Sequence, residues 1–303
     1  MKAAPFEYSR AADIDEACAM LAADESARVI AGGQTLVPMM VMRLARPTRL
    51  IDINRIAALS YIRQEAHQDG DGVAIGATTR QCVVERDALV AARVPLLARA
   101  IPNIGHAATR ARGTIGGSLA NADPAAELPL VAVTLDAVLS YRAGGETEEI
   151  PAGEFFIGPM ITALPAGACL VGVRFPVWQG EKIGTGFHEV NARRSDFAFV
   201  SAAAQVELGA DGTCQRIAIA VGAAIDFPMR LESAEQQLKG STLDAKAVDA
   251  AVRDALADID ALEDLHATAE YRRRAAIHLA SRAVADALAD AQSSKAQEKS
   301  HAH

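Results

Sequence analysis

Two glycine-bearing stretches, Val29-Ile30-Ala31-Gly32-Gly33-Gln34-Thr35-Leu36 and Arg112-Gly113-Thr114-Ile115-Gly116-Gly117-Ser118-Leu119-Ala120, stand about eighty residues apart in a chain of 303. Adjacent glycines lack Cβ atoms and can take positive φ, so successive backbone N–H groups can converge on an anion such as a pyrophosphate. A dinucleotide is long and carries two phosphates. Two such runs, the first after an apolar strand-like segment, predict a cofactor clamped between segments distant in sequence. Neither run fits G-x-G-x-x-G and neither contains Gly-Lys-Ser/Thr, which argues against a conventional Rossmann site and a nucleoside triphosphatase. Gly116-Gly117-Ser118-Leu119-Ala120 also departs from a nucleophile elbow, because Ala120 stands where the second flanking glycine would be.

Outward from the first run, acidic Asp13, Asp15 and Glu16 lead an apolar periodic stretch and predict a capped helix. Residues 27–31 read as a strand, 36–44 as a helix that stops before Pro47, and 50–53 as a further strand. Together they form a β-α-β-α-β unit with the glycine pair at a strand-to-helix junction. Residues 72–77 then read as a strand, 79–90 as a helix capped by Thr78 or Thr79, and 95–101 as a second helical stretch. After the second glycine run come the apolar residues 129–135, the alternating 137–142, a turn at Gly144-Gly145 and a strand over 170–176. Beyond residue 180 the texture changes. Residues 197–208 and 214–221 alternate like antiparallel strands joined by a hairpin at 210–213, followed by Ala-rich helices over 243–256 and 271–289 and a polar end. Expected units are 1–178, itself divided near residue 56 into 1–56 and 57–178, then 179–290, then a flexible tail over 291–303.

Composition narrows the function. Half the residues are apolar but only 4% are aromatic, and the formal charge is −8. That combination disfavours a nucleic-acid platform, and Arg272-Arg273-Arg274 reads as a solvated helix face or a subunit contact. Cys18, Cys82, Cys169 and Cys214 lack any C-x₂-C spacing and the histidines lack H-E-x-x-H, so no metal or iron–sulfur site is expected on this chain. Residues 1–8 lack a signal-peptide pattern and no apolar run reaches bilayer length. A cytoplasmic protein without a membrane span is expected.

Asp123-Pro124-Ala125-Ala126-Glu127 suggests a helix with Asp123 as cap, Pro124 in its first turn and Glu127 one turn later, near the glycine run. A carboxylate there could accept hydrogen bonds from ribose hydroxyls. The ordered set of residues 31–38 with Met42-Arg43, then Leu50-Ile51-Asp52-Ile53-Asn54, then residues 114–124, resembles the FAD-binding medium subunit of the molybdenum hydroxylases, the group of xanthine dehydrogenase and carbon monoxide dehydrogenase. Phe187-His188-Glu189 with Arg193 and Arg194, and Tyr271-Arg272-Arg273-Arg274-Ala275, resemble that family's C-terminal domain.

The resemblance implies an α+β architecture: a p-cresol-methylhydroxylase-like FAD fold of two α/β subdomains, followed by an antiparallel sheet with helices. It implies FAD held by Val29, Ile30, Ala31, Gly32, Gly33, Gln34, Thr35 and Leu36, with the clamp completed by Thr114, Ile115, Gly116, Gly117 and Ser118. Ile104, Leu170 and His188 match flavin-contacting positions, although the aromatic frequent at the first and the lysine frequent at the last are absent. Glu127 matches a carboxylate toward the ribose and adenine. It further implies a molybdenum cofactor on a large subunit, two [2Fe–2S] clusters on a small subunit, NAD or another acceptor, and a dimer of heterotrimers. The chain would relay electrons with no side chain acting as general acid or base. Substrate choice would lie with the large subunit, with purines, pyridines, aldehydes and carbon monoxide all compatible. The alternatives are a self-contained flavin-dependent oxidoreductase and an assembly subunit that has lost its cofactor.

Overall fold

Strand Arg28–Ile30, which delivers the first glycine pair, lies at one edge of a three-stranded parallel sheet in a computed structural model describing residues 2–67 and 70–300, with side chains to residue 293. Strand Arg49–Asp52 is central, pairing in parallel with Glu7–Arg10 on one side and Arg28–Ile30 on the other. Helix Ile14–Ala23 crosses between the outer strands. Asp13 caps it by accepting from the Glu16 amide at 2.8 Å, and Asp15 and Glu16 complement the dipole as expected. Ala17, Ile51 and Ile53 form the centre of this small core. The second helix is shorter than its apolar run implies, Leu36–Val41, because the chain turns back through Arg43 at φ 62°.

The next unit is a five-stranded antiparallel sheet in the order Ile62–His67, Gly70–Gly76, Cys169–Pro176, Val138–Ala143, Glu146–Pro151. The helix expected over 79–90 is two pieces, Gln81–Val84 and Ala88–Arg93. Asp87 starts the second piece by accepting from the Val90 amide at 3.0 Å, a cap signal stronger than continued periodicity. Pro95–Ala100 is helical, with proline at its first position, and tightens into a 3-10 turn at Ile101–Asn103. Helix Glu127–Thr134 is buried from Leu128 onward and supplies much of the core with Leu96, Leu97, Phe155 and Phe175. Each such side chain contributes roughly 1.5–3 kcal/mol through burial.

The third unit is a four-stranded antiparallel sheet, Ile183–Val190, Val200–Leu208, Cys214–Gly222 and Met229–Arg230 in spatial order. Helices Glu232–Leu238, Ala245–Ala255 and Ala269–Ser300 accompany it, the last extending beyond residue 291, where the tail was expected to begin. Strand Val200–Leu208 is buried on both faces: Ala202, Ala204 and Val206 join the core under the helices, while Ala203 packs into the core of the preceding unit with Phe187 and Ala220. Small residues allow the close approach. A Cβ at Gly186 would fall on the Ala283 carbonyl, so strand and final helix meet backbone to backbone. Arg230 ties this unit to the one before it, reaching Asp136 at 2.6 Å and the buried Glu235 at 2.5 Å. Arg272, expected on a solvated helix face or in a subunit contact, is buried within the chain instead. It donates to the carbonyls of Phe199 and Ala223 and pairs with Asp264 at 2.6 Å.

Candidate functional site: a cleft between the glycine runs

The three units enclose a cleft of about 690 Å³, within the size range of small-molecule sites. Its walls come from residues 29–36 of the parallel unit, from Thr114, Gly116, Gly117, Ser118 and Glu127 of the second unit, from Ile104 and Leu170, and from Ser195, Asp196 and Phe197 of the third. The sequence-predicted residues therefore converge, with two exceptions. Ile115 is fully buried and points into the core rather than the cleft. His188 sits on strand Ile183–Val190 outside the cleft wall, its Nε2 2.8 Å from Asp286 Oδ2, because the strand's pairing turns that side chain toward the final helix.

The first run is a strand, a turn and a helix. Gly33 has φ +70°, which a side chain would strain, and the Gly33 carbonyl accepts from Val37 at 3.1 Å to start the helix. Among the described residues the N–H groups of Gly32, Gly33, Gln34, Thr35 and Leu36 make no hydrogen bond to protein. Pro38 in the first helical turn removes a further N–H that would need a partner. Successive amides left open on a concave wall form an anion-binding nest.

The second run is different. It is the start of helix Ile115–Asn121, with Thr114 as N-cap accepting from the Gly117 amide at 3.1 Å. Ile115 donates to the Thr79 carbonyl at 3.0 Å, Gly116 to Ala77 at 2.9 Å and Ser118 to Thr114 at 3.2 Å. Within residues 114–118 only the Thr114 amide is without a partner among the described residues. The runs also touch: a Cβ on Gly32 would lie 2.6 Å from the Arg112 carbonyl oxygen and 2.9 Å from Gly113 Cα.

Asp123 is not a helix cap. It closes an Asx turn onto the Ala125 amide at 2.9 Å, and the helix begins four residues on, at Glu127. Glu127 is half-buried on the cleft wall. Burial pushes its carboxyl up to about 7, with Glu189 and Asp123 adding to the rise and Arg110 opposing it. Burial likewise pushes Glu189 up to about 7, against a hydrogen bond from Asn191. The Ile104 turn is held by Arg110, which donates to the carbonyls of Ile104 and Gly105, both at 3.1 Å, while pairing with Glu85.

Sequence reasoning missed several wall residues. Gln81 is buried and its Oε1 has no partner among the described residues. Met160, at φ 59°, is fixed beside the second run by its amide on the Ala122 carbonyl at 2.9 Å. Phe197 is 71% exposed and reaches the cleft from the third unit. Its exposure is known only from the fold, and nothing in the sequence sets it apart from the other aromatics. The residues present fit a dinucleotide: a row of open amides for phosphate, a carboxylate for ribose, an unsatisfied amide oxygen, and Met39, Met160, Leu170 and Phe197 for a ring system.

The family model for the FAD binding domain in molybdopterin dehydrogenase matches residues 4–178, and that for the CO dehydrogenase flavoprotein C-terminal domain matches residues 185–287. The chain is 35% identical to the 6-hydroxypseudooxynicotine dehydrogenase complex subunit alpha of Paenarthrobacter nicotinovorans, over 97% of this chain and 98% of that one. It is 33% identical to the carbon monoxide dehydrogenase medium chain of Hydrogenophaga pseudoflava, over 92% and 96% respectively. A solved structure of carbon monoxide dehydrogenase from that organism superimposes with a TM-score of 0.91 at 34% identity, covering 96% of this chain and 99% of that chain. The expected α+β fold of an FAD-binding domain followed by a sheet-and-helix domain is thus the observed one, and the chain belongs to the family of FAD-binding medium subunits of the molybdenum hydroxylases, oxidoreductase flavoproteins of multi-subunit dehydrogenases.

Proposed function

We propose that this chain is the electron-relay subunit of a heterotrimeric molybdenum hydroxylase. Substrate is oxidised at a molybdenum cofactor on a large subunit, electrons cross two [2Fe–2S] clusters on a small subunit, and they leave through FAD held here to NAD or another acceptor. FAD suits the junction because it exchanges one or two electrons. The observation that carries this reading is the row of open amides from Gly32 to Leu36, facing a dinucleotide-sized cleft in a chain whose residues 4–178 match an FAD-binding family.

The chain's own residues bind and orient. The Gly32–Leu36 amides take the pyrophosphate. Thr114, Gly116, Gly117 and Ser118 shape the opposite wall, and Glu127 accepts from ribose hydroxyls. Ile104, Leu170 and Phe197 line the ring end. Residues 1–178 form the FAD domain and 179–290 the C-terminal domain, in line with the matched segments. A dimer of heterotrimers in the cytoplasm completes the proposal; no helix among the described residues is long and apolar enough to cross a membrane. The relatives' names span N-heterocycle, aldehyde and carbon monoxide dehydrogenases, which supports placing substrate choice on a partner.

One observation favours the self-contained flavoenzyme. Glu127, pushed up to about 7 in the cleft, has the proton affinity of a general base. Acid release and mass identification of any chromophore test the flavin. Anaerobic addition of substrate to the chain alone, and to its complex with the large and small subunits, tests the relay. Flavin reduction only in the complex is expected, and substrate oxidation by the chain alone would sink the relay in favour of the rival.

A further inference from the structure

Asn54 stands just after the central parallel strand, in the first unit, and Arg80 stands just after strand Gly70–Gly76, in the second. Asn54 Nδ2 donates to the Ala31 carbonyl at 2.8 Å and to Asp52 Oδ1 at 2.7 Å, and its amide also donates to Asp52 Oδ1 at 2.9 Å. Its Oδ1 accepts from Arg80 Nη2 at 2.7 Å, while Arg80 Nη1 donates to the Arg112 carbonyl. That carbonyl oxygen is the atom against which Gly32 packs. A closed circuit therefore runs from Ala31 through Asn54, Arg80 and Arg112 back to Gly32, crossing from one glycine run to the other.

We propose that Arg80 and Asn54 form a latch that sets the spacing between the two glycine runs, and thereby the affinity for the pyrophosphate of FAD. The inference rests on the FAD reading above. Both are positioning residues, since neither lines the cleft. Arg80 is half-buried and makes no ion pair with a carboxylate among the described residues. Desolvation and the neighbouring Arg112 hold its pKa below the ordinary arginine value. What the site gains in return is geometry: a planar fork reaches a side-chain amide and a main-chain carbonyl together, which an ammonium cannot do in the same orientation.

The test uses the full-length chain stripped of flavin, comparing wild type with Asn54→Ala, Arg80→Lys and the double variant. FAD affinity, competition by ADP and by AMP, and the thermal midpoint of the flavin-free form are measured. Each single variant is expected to weaken FAD by about 10- to 100-fold. The double variant is expected to fall within about twofold of the weaker single, because the two act as one unit. ADP, which carries a pyrophosphate, is expected to weaken in parallel while AMP changes little, and the flavin-free midpoint is expected to stay within a few degrees. FAD affinity unchanged in either single variant, fully additive losses, or equal losses for ADP and AMP would each overturn the latch. Should Arg80→Lys fail to fold, Asn54→Asp decides: it keeps an acceptor for Arg80 but loses the donor to Ala31, so weaker FAD at an unchanged midpoint supports the latch and unchanged FAD overturns it. A wild-type chain that takes up no FAD overturns the cofactor reading itself, and the latch falls with it.

Discussion

The two glycine runs look alike in sequence and are built for different work. In the first, the amides from Gly32 to Leu36 are open to the cleft. In the second, Ile115, Gly116, Gly117 and Ser118 already donate to Thr79, Ala77 and Thr114, so that helix start has little left to offer an anion. A helix N-terminus binds an anion only while its N–H groups are free. Gly33 serves the first run by permitting a turn, whereas Gly32 and Gly116 permit contact: a Cβ on Gly116 would lie 2.5 Å from that of Ala77.

Substitutions at the glycines break this comparison most severely. Gly32→Val meets backbone of the opposite run at 2.6 Å, so it should abolish flavin retention, by about 100-fold or more in affinity, and cost about 1–3 kcal/mol of stability. Flavin per chain after acid release, together with the denaturant midpoint, reads both effects. Gly117→Val meets only the Thr114 hydroxyl, also at 2.6 Å. It should lose flavin while costing about 1 kcal/mol through the disturbed cap, and a normal flavin stoichiometry would remove Gly117 from the site.

Charge sharpens the comparison next. Glu127 is raised from 4.5 to about 7, so the folded flavin-free chain binds more protons than the unfolded one across that interval. The stability Glu127 contributes is then fully present below about 4.5 and is lost as pH rises through about 7. Because the carboxyl faces an open cleft, the loss is on the order of 1–2 kcal/mol, and burial raises Glu189 to about 7 as well, so it contributes over the same interval. Glu127→Gln should flatten the curve of denaturant midpoint against pH, and an unchanged slope would assign it elsewhere. The smallest effect is expected at His188. Replacing it by Ala removes the contact with Asp286, costs about 1 kcal/mol or less, and should leave FAD affinity within about twofold.

The first run was legible because an apolar strand, a glycine pair and an apolar helical run all argue for one geometry. The second was legible as a site but not as a helix, since two adjacent glycines each cost about 1 kcal/mol in helix propensity; the Thr114 cap and the carbonyls of residues 77 and 79 overrule that cost. Helix Glu127–Thr134 has no polar face to reveal its period, being buried all round. His188 lies outside the cleft wall, and resemblance by position says nothing about which way a strand turns its side chain. Gln81, Met160 and Phe197 arrive from segments far apart in sequence, and only packing brings them to one wall.

The closure of the third unit bears on how the chain is made. Thr185 donates to Asp290, 105 residues later, and the strand that holds Thr185, Ile183–Val190, is the edge of its sheet. Until the final helix is synthesised, the glycine-rich face of that strand lacks the helix backbone that packs on Gly184 and Gly186. A chain cut short before Ala269 would then emerge with a bare strand, the kind of edge that pairs with a second molecule, and without the Arg272 guanidinium that holds the Phe199 carbonyl next to the cleft.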